Sequence, residues 1–332
     1  KAGDKTRPGG GSSGGAAGAG AAGLGQFGVA TCGGGSTRIP AAANGVVGLK
    51  QSLGLIPHDM AQDSFGNMAY ITPMTRSVID TAMMLEVMAG PSIEDVHSFG
   101  CRPDRYVATV ETADRLDDVR MAWRPYLGNT AIDSEVLRIT SEAARTFEGF
   151  GARLREMADD MEPTEPLWLV LTTTIWNARF KHLLAEWSER MSPTLKSQMA
   201  LSKGHTAEDL MRAQLERTRI FRKVQHWFDQ VDILIMPTLT RTALPLKEAL
   251  YEQIEIEGRP AGTVRKAWYP YTHPFNLTGH PAITLPAGFH SDGLPVAIQL
   301  VGRRGEDALL LKAARLFEQA RPWAEVRPTG AD

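Results

Sequence analysis

Apolar and polar positions change rhythm several times along the chain, and each rhythm predicts an element. Over 132–150 the apolar residues Ile132, Val136, Ile139, Ala143 and Phe147 recur at helical spacing. The residues over 165–190, 207–230 and 306–320 also predict helices, the last clearly amphipathic. Short apolar runs predict strands at 119–124, 152–157, 232–237, 282–286 and 296–301, with proline closing the third. Residues 13–24 are almost entirely glycine and alanine. They predict a helix whose small residues offset their propensity cost by packing very closely in the core. Helices and short strands mixed over the whole length predict an α/β protein. No internal repeat or interdomain linker interrupts 1–332, so a single domain is expected. Its mostly helical 163–245 portion is expected to form a layer or cap.

Composition narrows the picture. The 332 residues carry a net charge of −2, with 43% hydrophobic and 22% charged residues. That is a folded chain and not a disordered one. The charge balance excludes a general polyanion binder, so no nucleic acid partner is expected. No apolar run is long enough for a membrane-spanning helix. Two cysteines, Cys32 and Cys101, exclude a disulfide scaffold and fit a cytoplasmic location. Glycine is skewed: 14 of the 32 lie in the first 35 residues. The chain begins at Lys1 and enters a glycine run almost at once, which predicts an N-terminally truncated sequence.

Three motifs compete for that glycine-rich region. Gly18, Gly20 and Gly23 spell G-x-G-x-x-G, but a dinucleotide fingerprint needs a hydrophobic strand directly before it. Close helix packing is the better account. Gly11 to Gly15 spell G-x-S-x-G around Ser13, with His273, His280 and His290 late enough to complete a hydrolase triad. The strand that should lead into such an elbow is missing. The third arrangement uses more residues: two Ser-Gly clusters, at 10–15 and 33–40. Consecutive glycines before a serine can turn their N–H groups inward as a nest for an oxyanion. Ser36, at the end of the nest, would attack a carbonyl carbon, given a base to take its proton. The eight histidines show no metal-ligand spacing, so no metal or other cofactor is expected.

The run GGSSGGAAGAGAAGLGQFGVATCGGGSTRIPAAANGVVGLKQSLG resembles the amidase signature of the Ser–cisSer–Lys amidohydrolases. Further anchors follow in family order at 73–80, 275–282 and 293–303, while 101–237 carries little of the resemblance. It implies an α/β amidase-signature fold, a central mixed β-sheet covered by helices on both sides. Ser36 would be the nucleophile and Ser12 the bridging serine, preceded by a cis peptide bond. The N–H groups of Gly33, Gly34, Gly35 and Ser36 would form the oxyanion hole. Ser13, Thr31 and Arg38 would hold the loop.

Two departures stand out. The family's catalytic lysine precedes the first Ser-Gly cluster by a long segment, and only eleven residues precede Ser12. Lys1 and Lys5 do not fit that place, and Lys50 belongs to the end of the signature. Where the family usually carries an acidic residue, this chain has Cys32, whose better reading is a small buried substitute and not a nucleophile. The expected function is therefore amide hydrolysis through a seryl acyl-enzyme, with a small-molecule amide as substrate. The fragment alone should be inactive and aggregation-prone, and the oligomeric state stays open, with a homodimer as one option. Two alternatives stay open. One is the glutamine-hydrolysing A subunit of a tRNA amidotransferase, disfavoured because 268–273 lacks the carboxylate suited to glutamine's ammonium group. The other is a non-catalytic binding remnant. Trp168, Trp176, Phe180 and Trp187 line either the acyl pocket or the core.

Overall fold

The computed structural model describes residues 3–61, 63–246 and 252–328. Its strands in chain order are β1 (Phe27–Thr31), β2 (Val47–Lys50), β3 (Ile71–Thr75), β4 (Arg120–Trp123), β5 (Arg153–Glu156), β6 (Ile233–Pro237), β7 (Gln253–Ile256), β8 (Arg259–Thr263), β9 (Ala282–Phe289) and β10 (Pro295–Gly302). Eight form one sheet in the order β1-β3-β2-β9-β10-β6-β4-β5, and β7 pairs with β8 as a separate hairpin. The sheet is mixed: antiparallel from β1 to β6, then parallel through β4 and β5. This is the α/β architecture the sequence predicts.

Both faces of the sheet centre are buried, and period-two alternation shows how. Ile233, Ile235, Met121, Ile298 and Leu300 face one core, shared with helices Val78–Met88, Ser134–Arg145 and Asp307–Ala320. Leu234, Met236, Ala122 and Val301 face the other, shared with helices Glu165–Phe180, Ala207–Trp227 and His273–Thr278. A strand buried on both faces reads as a continuous apolar run, which is why ILIM at β6 is legible. Among the described residues no helix is long and apolar enough to cross a membrane.

Two expectations are corrected. The helix expected over 165–190 ends at Phe180 and continues as single turns, Lys181–Leu183, Leu184–Trp187 and Ser188–Arg190. None of these turns buries a residue, so no core face holds them in one register. The helix predicted over 13–24 is Gly14–Ala21, and only Ala17 and Ala21 are buried in it. These pack with Ala30, Ala41 and Met74. A Cβ on Gly15, Gly18 or Gly20 would meet nothing within 4 Å, so close packing is not what those glycines serve. The helix lies on the sheet by one narrow alanine stripe. Arg76 donates to its last carbonyls, Gly20 O at 3.3 Å and Ala21 O at 3.0 Å.

Candidate active site

The two Ser-Gly clusters, 24 positions apart in sequence, meet in space. Ser13 N–H donates to the Ser36 carbonyl at 3.3 Å. Ser13 Oγ donates to Thr31 O at 3.2 Å and accepts from Thr31 N–H at 3.3 Å. Thr31 thus takes part through its backbone. Asn44 Nδ2 donates to Gly9 O at 2.7 Å, drawing the first cluster onto helix Arg38–Asn44. At Gly10 a Cβ would stand 2.8 Å from Pro40 Cα, so the approach requires glycine. The Gly11–Ser12 peptide is cis. Ser12 is exposed and Ser36 half-buried, so both hydroxyls are open to a ligand.

The second cluster is organised by its carbonyls. Asn276 Nδ2 donates to Cys32 O at 2.6 Å, and Trp168 Nε1 to Gly33 O at 2.9 Å. Thr272 Oγ1 donates to Gly34 O at 2.8 Å, and Ile39 N–H to Gly35 O at 2.8 Å. In a trans peptide, C=O and N–H point in opposite directions. Each carbonyl held inward therefore turns the next residue's N–H outward, at Gly33, Gly34, Gly35 and Ser36 in succession. Among the described residues these four N–H groups have no acceptor. A Cβ on Gly33 would meet nothing within 4 Å, so that side is open, whereas one on Gly34 would stand 2.7 Å from the Trp168 ring. The result is a fixed row of donors beside Ser36.

Arg38 and Cys32 lie beneath this row, both fully buried. The guanidinium donates to Gln299 Oε1 at 2.7 Å, to Asn276 Oδ1, and to Cys32 Sγ at 3.7 Å. Asn276 also holds the Cys32 carbonyl, so Arg38 supports the loop through it. Cys32 is a buried partner of Arg38, in keeping with the sequence expectation, and is closed to solvent. Burial pushes its thiol up, but the Arg38 charge, the Thr37 N–H, the Arg38 hydrogen bond and the Lys50 charge together bring it below its ordinary value. A thiol whose folded pKa is depressed stabilises the fold above its unfolded pKa and loses that contribution as pH falls through the folded one. Urea unfolding should therefore show the stability difference between wild type and Cys32→Ser widening as pH rises toward about 8.5. A difference independent of pH from 6 to 9.5 would refute this ion pairing.

Other candidates separate from the site. Gly18 and Gly20 lie inside a helix that leads into strand β1 and, among the described residues, has no strand before it, unlike a nucleotide fingerprint. His280 is buried between Thr278 Oγ1 at 2.9 Å and Gln225 Oε1 at 2.7 Å, and His290 pairs with Asp133, Glu135 and Asp292. His273 is buried near Trp168 and held neutral, its pKa pushed down to about 3 mainly by burial and then by Arg265. None bonds to Ser13 among the described residues. Lys50 is fully buried, with Nζ donating to Gln51 O at 3.0 Å and lying 4.1 Å from the Tyr70 ring centroid. Burial, then Arg38, holds its pKa well below the ordinary lysine range. Lys1 lies outside the described residues. A cleft of about 500 Å³ lined by Asn44, Gly45, Phe289 and Trp323 contains no residue of either cluster.

Sequence reasoning assigns no role to Thr272, Asn276 or Gln299, although all three touch the site. Asn276 and Gln299 lie within the C-terminal anchors of the resemblance, which is the available signal. For Trp168 the sequence leaves pocket and core open, and the structure makes it the donor to the loop.

The family model described as Amidase matches residues 2–311. The chain belongs to the amidase family. An acylamidase of Rhodococcus erythropolis is 37% identical over 89% of this chain and 61% of its own length. The chain thus spans about three-fifths of that relative. The A subunit of a glutamyl-tRNA(Gln) amidotransferase from Trichodesmium erythraeum is 28% identical over 98% of this chain and 70% of its own. Among solved structures, a bacterial aryl acylamidase of the amidase signature family superposes with a TM-score of 0.86 at 26% identity. That match covers 97% of this chain and 67% of the neighbour. In this fold the first Ser-Gly cluster lies against helix Arg38–Asn44, which follows the second cluster directly in sequence.

Proposed function

We propose that this protein hydrolyses a carboxylic amide to carboxylate and amine through an acyl-enzyme on Ser36. The observation that carries this reading is the row of four outward N–H groups ending at Ser36. Ser36 Oγ attacks the carbonyl carbon while its proton passes to Ser12 and on to a base. The oxyanion accepts from the N–H groups of Gly33, Gly34, Gly35 and Ser36. The C–N bond breaks as the amine takes a proton back, and water then hydrolyses the seryl ester. Ser13, Thr31 and Arg38 hold the loop. The resemblance assigns the base to a lysine; among the described residues neither Lys5 nor Lys50 hydrogen-bonds to Ser12 or Ser36. Residues 1–332 alone are accordingly proposed to turn over amides poorly.

The acylamidase relative, at 37% identity against 28% for the amidotransferase subunit, and the aryl acylamidase structure support an acyl- or aryl-amide as substrate over glutamine. The buried stretch 268–273 supports the same choice, since it carries no carboxylate. The 163–245 portion, through helix Glu165–Phe180, is proposed to line the acyl pocket within a single domain. The balanced charge favours a small molecule over nucleic acid. A cytoplasmic location and a homodimer belong to the same proposal and are read by fractionation and light scattering.

The test uses the natural gene product with an acetanilide-type amide, glutamine, and a fluorophosphonate. The expected result is aryl-amide turnover well above glutaminase activity, with the fluorophosphonate adduct on the peptide containing Ser36. Dominant glutaminase activity would reverse the substrate choice. No turnover and no adduct would leave a binding remnant.

A further inference from the structure

We infer that Trp168 is a positioning residue for the oxyanion hole and that Arg265 locks it. The inference rests on the acyl-transfer reading of Ser36. Trp168 touches the loop twice. Its Nε1–H holds the Gly33 carbonyl at 2.9 Å, and its ring fills the space where a Gly34 side chain would stand. Because the Gly33 carbonyl and the Gly34 N–H belong to one trans peptide, the indole sets the direction of that N–H. Without the indole donor the peptide plane is free to rotate, and the oxyanion loses one preorganised donor.

The indole itself is clamped. Arg265 lies with its guanidinium carbon 4.5 Å from the Trp168 ring centroid, and is only 5% exposed. Its Nη2 donates to the buried Gln198 Oε1 at 3.3 Å. Trp176 meets the indole edge-on at 6.1 Å, and His273 at 6.5 Å. A cation on an indole face is a favourable contact when desolvated, and this one is almost fully desolvated. The clamp links three segments: helix Glu165–Phe180 carries the indole, helix Val264–Ala267 the cation, and helix Pro193–Leu201 its acceptor. The helical layer is thereby tied to the catalytic loop through the Trp168 side chain.

The deciding variant is Trp168→Phe, which keeps an aromatic ring beside Gly34 and Arg265 but removes the N–H. Wild type, Trp168→Phe and Arg265→Met are compared as natural gene products on an aryl amide. Trp168→Phe is expected to lower kcat about 10-fold or more with KM within about threefold, because a preorganised donor acts on the transition state. Arg265→Met should move kcat in the same direction by less. Hydrogen exchange over residues 31–39 should quicken in Trp168→Phe, while exchange in helix Ala207–Trp227 stays unchanged. A kcat within twofold of wild type, or a loss carried mainly by KM, overturns the proposal. Where wild type itself shows no amide turnover, the acyl-transfer reading fails instead. The exchange measurement then decides whether the indole holds the loop: unchanged exchange over 31–39 overturns it.

Discussion

Ser36→Ala should abolish amide turnover, lowering kcat by about four orders of magnitude or more, as removal of an acyl-accepting serine does. The fold should not notice. Ser36 is half-buried, and the contact that ties it to the first cluster is its backbone carbonyl, which accepts from Ser13 N–H at 3.3 Å. Alanine keeps that carbonyl and the four N–H donors. The thermal midpoint should therefore stay close to wild type, as for substitutions away from packed contacts. The measurement pairs single-turnover hydrolysis of an aryl amide by the natural gene product with a thermal melt. Turnover persisting in a folded Ser36→Ala protein would remove Ser36 from the mechanism and leave the N–H row without an attacking group.

A second large effect is expected one residue earlier. Gly35 has φ +128°, a conformation that side-chain-bearing residues rarely adopt. A Cβ there would collide with Thr272 Oγ1 and stand 2.6 Å from Thr272 Cβ and 2.9 Å from Ile39 Cδ1. Thr272 is the hydroxyl that holds the Gly34 carbonyl, so the collision strikes the anchor that aims the Gly35 N–H. Gly35→Ala should cost about 2–4 kcal/mol of stability from backbone strain and overpacking together. It should also lower kcat by about 10²–10³-fold, the loss typical of one oxyanion donor. Adding Thr272→Ala removes the Oγ1 collision but keeps the Thr272 Cβ contact at 2.6 Å, and it restores neither the backbone conformation nor the anchor. The double variant should regain part of the stability and none of the rate. Wild-type stability and rate in Gly35→Ala would show that the loop does not depend on this geometry.

The chemistry is legible wherever it is written locally. Gly33, Gly34, Gly35 and Ser36 announce themselves because a backbone nest is built from consecutive residues, so its parts are neighbours in sequence, while Ser12 and Ser13 are picked out by the signature that the run resembles. Helices Ser134–Arg145, Ala207–Trp227 and Asp307–Ala320 are legible for the same reason, since an amphipathic stripe is a short-range pattern. Strands β1, β2 and β3 are not. They are four or five residues long, with glycine or proline inside, and they owe their existence to partners far along the chain. The Gly-Ala helix is legible in place but not in purpose, because composition shows that residues are small and not what stands next to them.

What the sequence by itself determined is the inventory: an α/β chain, two Ser-Gly clusters holding the proposed nucleophile Ser36 and bridging Ser12, a glycine nest, and Arg38 as a clamp beside it. What only the tertiary structure decided is the direction in which the nest points. The anchoring donors reach the loop from 135, 238 and 244 positions away, from Trp168, Thr272 and Asn276, and Arg38 meets Gln299 across 261. A peptide plane can present its N–H or its C=O to a substrate, and nothing in four consecutive residues chooses between them. The choice is made by whichever donors the fold brings to the carbonyl side, because a buried carbonyl left without a partner is costly.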